Sequence, residues 1–492
     1  MLYNQSLYEI NTRVWLRRFD QGIIKSTLND VPNSYWDDLA KKGIDYIWLM
    51  GIWKTCNSVI ERCCFEEGLK KSYDRALKGW KSEDVIGSPY AIDVYEINPE
   101  LGSHKSLLEL KSCLNKKGMK LILDFVPNHF SADTRLIKTN PSIFIFVDKE
   151  LFKRDPHTYY QPTQSEEKYF AHGRDPFFPA WQDTIQINIF SKEARKFLID
   201  TLLSLAKICD GVRCDMSMLL LNNVFNNTWG GVLGKNGFDK HKSEFWTEAI
   251  SEVKNERADF LFIAEAYWDL EYDLQQTGFD FTYDKKLTDR LKFAPVKEIH
   301  DHLLAENDYQ KKSLRFIENH DEERAITVLG KEKSKAAAVI ISTIQGLRFY
   351  NDGQFEGKKI KLPVQIGREP EEQPNAELKY FYNKLLTVTS HEIFSRGKWT
   401  LLEPGPSLDN NTTFINIFSW SWSFKDEKRL VVVNYSETIS TCRIKLDVRG
   451  YQEDLSLKDL LNDQAYIRSA EEVYNSGLYI ELKPFQTHIF TY

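Results

Sequence analysis

Eight short runs rich in β-branched and aromatic residues recur within the first ~380 residues, and amphipathic stretches separate them. The runs are 8–15, 45–50, 120–126, 208–217, 260–265, 279–284, 314–318 and 347–351. Between them the apolar spacing switches to a helical period, as at 35–42, 106–117 and 192–207. In 106–117, Leu107, Leu108, Leu110 and Leu114 fall on roughly one stripe. Strand and helix in alternation predict parallel βα units. Eight such units predict a closed (β/α)8 barrel of the TIM type. An open doubly wound sheet is the competing arrangement, but no glycine-rich turn follows the first run.

A barrel needs ~250 residues and the chain has 492, so more must be attached. Three connections exceed the ~2–6 residues of an ordinary βα loop: 54–89, 130–190 and 218–240. All begin at strand C-terminal ends, the face where barrels build active sites. The segment 130–190 holds Pro156, Pro162, Pro176 and Pro179 among many aromatics, which predicts a small irregular subdomain. After about 385 the runs at 414–420, 429–435 and 478–482 are divided by turn residues. They predict an antiparallel β-sandwich. The expected division is barrel over 1–129 and 191–384, insertion over 130–190, and sandwich over 385–492.

Charge narrows the function. The net charge is −6, and no long Lys/Arg block offers a nucleic-acid surface. Lys116-Lys117 and the lysines of 331–335 read as solvated helix faces. No run of 18 apolar residues predicts a spanning helix, so no membrane is expected as a partner. The seven cysteines are odd in number and form no C-x-x-C pair, which suits free thiols in a reducing compartment. With no basic, apolar leader at Met1–Ser6, a cytoplasmic location is expected. No oligomeric state is read from the sequence.

The ends of the predicted strands carry a set of polar residues. Asp124 ends the third run, with Asn128 and His129 just beyond. Arg213 and Asp215 lie two apart in the fourth, so both face the same side of a strand. Glu265 ends the fifth, and Asn319, His320 and Asp321 follow the seventh. Glycosidic cleavage needs such a set: one carboxyl protonated to serve the leaving oxygen and a second ionised beside the anomeric carbon, ~5–5.5 Å away in a retaining enzyme. An arginine keeps the nucleophile ionised, and crowding with burial raises the acid.

The motifs make the resemblance specific. Asp124-Phe125-Val126-Pro127-Asn128-His129, Gly211-Val212-Arg213-Cys214-Asp215, Glu265 within 262–268, and Phe316-Ile317-Glu318-Asn319-His320-Asp321 resemble, in order and spacing, the signatures of the α-amylase family of glycoside hydrolases. That resemblance implies Asp215 as nucleophile, Glu265 as acid/base and Asp321 as transition-state stabiliser. It implies that Arg213 orients Asp215, that His129 and His320 bind sugar hydroxyls with Asp124 in the same binding set, and that Tyr90 stacks on the sugar. Asn188 in Gln186-Ile187-Asn188 is a weaker match to a short family motif.

Three departures stand out. Met218 and Leu219 occupy the places where many members carry lysine and histidine, and 218–221 is read as an apolar wall of the acceptor site. Ala91 replaces the aspartate that follows the tyrosine. Asn128 is a candidate calcium ligand, but a cage of ~6–8 oxygens is not visible, so no metal and no other cofactor is expected. The expected function is a retaining enzyme for α-glucosidic bonds in malto-oligosaccharides or related α-glucosides. An intracellular transglycosylase on the same scaffold is the alternative. A non-catalytic carbohydrate-binding protein is disfavoured because all three acids are present.

Overall fold

A computed structural model describes residues 4–165, 168–448 and 454–492. Eight strands close a parallel barrel: β1 (Ser6–Asn11), β2 (Tyr46–Met50), β3 (Lys120–Phe125), β4 (Gly211–Cys214), β5 (Leu261–Ala264), β6 (Phe281–Tyr283), β7 (Ser313–Arg315) and β8 (Leu347–Asn351). They pair in chain order, and β8 closes on β1 through Ser6 opposite Arg348. Each of the eight predicted runs overlaps one of them, and all but the first and seventh contain it whole.

The register sets what faces inward. Leu7, Trp48, Ile122, Ile263, Tyr283, Leu314 and Phe349 fill the interior as one apolar cluster. Side chains two residues further along a strand share its face. Glu9 on β1, Asp124 on β3, and Arg213 then Asp215 on and just past β4 therefore follow the apolar layer toward the C-terminal mouth.

The helices pack outside. Lys192–Ile208 begins with Ser191, whose hydroxyl accepts from Ala194 N. It buries Ala194, Leu198, Leu202 and Leu205 along one face. That face is the 3.6-residue period seen in the sequence.

Several boundaries differ from expectation. The first run was expected to be extended over 8–15, but Thr12–Trp15 is a helical turn. All four residues are buried, so strand-like composition there reflects burial and not extension. The fourth run is a strand only over Gly211–Cys214, because Ile208 ends a helix and Met216 is left-handed. The connection 218–240 is mostly the helix Asn222–Lys235. The insertion is more regular than expected: Thr184–Gln186 pairs with His129–Ser131, and Phe146–Val147, Tyr169–Ala171 and Tyr159–Tyr160 form a small antiparallel sheet.

The helix Ala376–Thr389 runs across position 385, and the first strand of the C-terminal sheet starts later, at Lys398. Six antiparallel strands form that sheet, and the pair Ser440–Ile444 and Leu478–Leu482 lies against it. Ile417, Leu430 and Val432 from the larger sheet meet Cys442, Ile444, Leu478 and Leu482 from the smaller in one cluster. The other face joins the main core through Phe418, Trp420, Trp422, Val431 and Val433. Trp422 Nε1 donates to Thr343 O at 2.7 Å, and Tyr435 OH donates to Leu291 O at 2.7 Å, pinning the sandwich to the barrel's helices.

Candidate active site

Arg213 is fully buried at the barrel mouth. Its Nη1 donates to Asp215 Oδ1 at 2.6 Å, and its Nη2 lies 2.8 Å from Glu265 Oε1. The second contact is close but poorly directed as a hydrogen bond, so it is an ion pair. Nε donates to Tyr283 OH at 3.2 Å. The guanidinium also lies over three rings, with centroids at 5.1 Å for Trp48, 5.3 Å for Tyr90 and 5.6 Å for Tyr283. Aromatic faces and two carboxylates together offset the desolvation of this cation.

Glu265 is held from three sides. Besides Arg213, Met216 N donates to Oε2 at 2.6 Å and Tyr267 OH donates to Oε1 at 2.9 Å. Met216 reaches this place through a left-handed conformation, φ 42° and ψ 45°, unusual for a side chain of its size. The turn aims its N–H across to the end of β5. Burial, opposed by Arg213 and reinforced by Asp215 and Asp321, pushes the Glu265 carboxyl up to about 7. Burial also moves Asp215 up against the pull of Arg213.

Asp124 is pushed up to about 6 by burial, although Arg213, Gly51 N and Trp48 Nε1 favour its charged form. Gly51 N donates to Oδ2 at 2.8 Å and Trp48 Nε1 to Oδ1 at 3.0 Å. On the opposite side, His320 Nε2 lies 3.0 Å from Asp321 Oδ2 and 2.8 Å from Tyr90 OH. Asn319 Oδ1 accepts from both Asp321 N and Glu322 N at 2.9 Å, a local turn that fixes the aspartate. Burial opposes ionisation of Asp321, but His320, Arg213 and Lys361 outweigh it and hold the carboxyl well below its usual range. The side chain is 48% exposed, so solvent weakens these interactions while leaving their direction.

Tyr90, Asp124, Arg213, Asp215, Glu265, His320 and Asp321 thus form one contact network. His129 sits at its edge, with its ring against Trp181 at 5.2 Å, and burial lowers it to about 4, leaving a neutral imidazole. Asn188 stays apart: its Oδ1 accepts from Phe190 N, a turn leading into the Lys192–Ile208 helix. Sequence reasoning missed Glu9, Trp48, Tyr267 and Tyr283. Glu9 carried a signal, a carboxylate at an inward-facing strand position.

Met218, Leu219, Leu220 and Leu221 do not form an open wall. They are buried in the main core, Met218 completely, so the apolar run packs the turn after β4 and does not face a ligand. An exposed ring is Phe177, 67% exposed, which meets edge-to-face at 4.9 Å the ring of Trp268, a near neighbour of Glu265 in the chain. A groove of about 500 Å³ opens beside Asp321 and His320, bounded by Leu69 and Arg75 on one side and Lys361 and Val364 on the other.

Asn128, the candidate calcium ligand, is engaged by a neighbouring side chain. Gln186 Nε2 donates to Asn128 Oδ1 at 3.0 Å and to Asn128 O at 2.9 Å, so both of Asn128's oxygens are engaged by one neutral donor. Among the described residues no group of three or more His, Cys, Asp or Glu is arranged to hold a metal.

The chain matches the alpha-amylase catalytic domain over residues 36–379. It is 23% identical over 451 residues to Alpha-amylase 3 of Dictyoglomus thermophilum, covering 81% of each chain. It is 23% identical over 407 residues to the cyclomaltodextrin glucanotransferase of Bacillus sp., covering 74% of this chain and 51% of that protein. The crystal structure of a noncanonic maltogenic alpha-amylase from Thermotoga neapolitana superposes with a TM-score of 0.70 at 20% identity, covering 99% and 98% of the two chains. At that identity the superposition speaks for the fold alone. The matched segment takes in β2 to β8 and every residue of the contact network, and the chain belongs to the alpha-amylase family.

Proposed function

We propose that the protein is a retaining glycosidase of this family, acting on α-glucosidic bonds in malto-oligosaccharides or related α-glucosides. The observation that carries the reading is one buried guanidinium shared by two carboxylates, of which Glu265 is pushed up to about 7. An acid near neutral pH can both give and take a proton. Sharing a guanidinium draws the carboxyls together, which favours the ~5–5.5 Å of a retaining pair over the ~6.5–9.5 Å an inverting pair needs.

In this mechanism Glu265 gives its proton to the glycosidic oxygen as that oxygen leaves the anomeric carbon. Asp215 forms the new bond to that carbon from the opposite face. Water then attacks the same carbon, gives its proton to Glu265, and releases Asp215 as a carboxylate. Asp321, kept ionised by His320, opposes the positive charge that develops on the sugar ring. Tyr90, Asp124 and His129 hold the sugar's hydroxyls and face.

A second reading, transfer to a sugar acceptor, draws on the exposed Phe177 ring against Trp268, an aromatic surface for a second sugar on the segment that follows Glu265. The test is a panel of maltose, maltotriose, sucrose, trehalose, isomaltose and starch, with early product anomers followed with and without added acceptor. Retained α-anomers are expected, and Asp215→Asn should lose at least ~1,000-fold in kcat while folding normally. Inverted products, or an Asp215→Asn variant within tenfold of the parent, would overturn the reading.

A further inference from the structure

Glu9 sits inside β1, fully buried, 311 positions along the chain from the histidine it touches. Its Oε1 meets His320 Nδ1. Its other oxygen, Oε2, has no hydrogen-bond partner among the described residues. A buried carboxylate with half its valence unspent is costly, so its one contact must matter.

The other nitrogen of the same ring meets Asp321 Oδ2 at 3.0 Å. A neutral imidazole has one N–H, and its bare nitrogen would press a lone pair against a carboxylate. An imidazolium has two, one for each carboxylate. Tyr90 OH, also 2.8 Å from Nε2, and Trp48, edge-on at 5.6 Å, fix the plane of the ring. We propose that Glu9 is a positioning residue for the reaction: it holds the His320 ring by Nδ1 as a cation, and through it holds Asp321 ionised and in place.

Every charged group facing the ring fits this assignment. From β1 comes Glu9, from its own loop Asp321, and from β3 the through-space field of Asp124. Lys361, whose Nζ donates to Asp321 O, and Arg213 add positive charge on the far side of Asp321. Burial alone would lower His320, yet Asp321 and Glu9 raise it well above the usual histidine range. Neither carboxylate replaces the other, because each engages a different nitrogen.

The inference rests on the proposed role of Asp321 for its catalytic part, and its structural part is testable without turnover. In the full-length protein with 13C-labelled histidine, the His320 resonance is assigned by its loss in His320→Gln, then followed from pH 5 to 9. His320 should stay protonated beyond pH 8 in the parent. In Glu9→Gln, which keeps an amide oxygen for Nδ1–H but removes the charge, the titration should move down by at least ~1 unit. The kcat of that variant should then fall about tenfold between pH 5.5 and 8 relative to the parent, with KM within about threefold. A parent His320 that titrates near its ordinary 6.5, or one whose titration Glu9→Gln leaves unmoved, overturns the proposal. The parent titration decides alone if Glu9→Gln does not fold. A shifted titration with a pH–kcat profile parallel to the parent's overturns the link to Asp321. A shifted titration in a protein whose parent cleaves no α-glucoside supports the Glu9–His320 pair and defeats the glycosidase reading instead.

Discussion

Glu265 shows how one side chain trades stability for chemistry. Its ordinary value is 4.5, and burial first, then the crowding of Asp215 and Asp321, brings it up to about 7 in the folded protein. Between those values the folded state binds the proton more tightly than the unfolded chain, so stability falls as pH rises through that window. Above about 7 both states are ionised and the whole penalty is present. Glu265→Gln removes the ionisable group while keeping its shape. The variant should therefore melt higher than the parent at pH 8, with the gain shrinking toward zero by pH 4.5, as calorimetry at a series of pH values would record. The same variant should lose about 100-fold or more on oligosaccharides, whose leaving groups need the proton, and much less on activated aryl glucosides. Equal losses on both would contradict the acid role.

At the scale of single elements, β4 leads into the Arg213–Asp215 ion pair, and its first residue is tightly enclosed. A Cβ placed on Gly211 would lie 2.6 Å from Leu261 Cβ, 2.7 Å from Leu261 O and 2.8 Å from Ile122 Cδ1. The Leu261 backbone of β5 would have to move and the Ile122 side chain to turn, and the strand that shifts against β5 leads to Arg213 and Asp215. Gly211→Ala should cost about 1–3 kcal/mol in denaturant unfolding and should also reduce kcat, because the overpacking is transmitted to the site. A stable variant with unchanged kcat would show that the glycine is dispensable.

The barrel strands were legible because each pairs a strand-like run with a helical period on either side. The network was legible as residues but not as contacts. Asp124, Arg213, Asp215, Glu265 and Asp321 were found because each closes or follows a strand. Glu9 was not, because its partner lies on the far side of the barrel's closure. Thr12–Trp15 misled because buried helical turns and buried strands share a composition. The run 218–221 misled for a related reason: an apolar segment beside a candidate site residue resembles a binding wall, yet here it is buried in the main core.

Across the whole molecule, barrel and sandwich share apolar contacts. Trp420 is fully buried in the cluster that also contains barrel-side residues such as Val339 and Ile340. Trp420→Ala should cost about 3–5 kcal/mol and lower the melting temperature of the whole chain as a single transition, not of the sandwich alone. Two resolved transitions in the parent would show that the two parts unfold independently. Chelation is the second global test. EDTA should leave both the melting temperature and the activity of the parent unchanged, since the amides at Asn128 and Gln186 serve each other. A drop of several degrees, restored by added calcium, would contradict that.

The amide pair carries a wider consequence. It joins the chain leaving β3 to the last strand of the insertion, the two points between which that lobe is hung. A lobe latched by a divalent ion loosens wherever the ion is scarce or competed away by citrate, phosphate or nucleotides. A latch of two neutral side chains has no such supplier. Its grip is written in the polypeptide, so the shape of the cleft wall should hold at any ionic composition that leaves the fold intact.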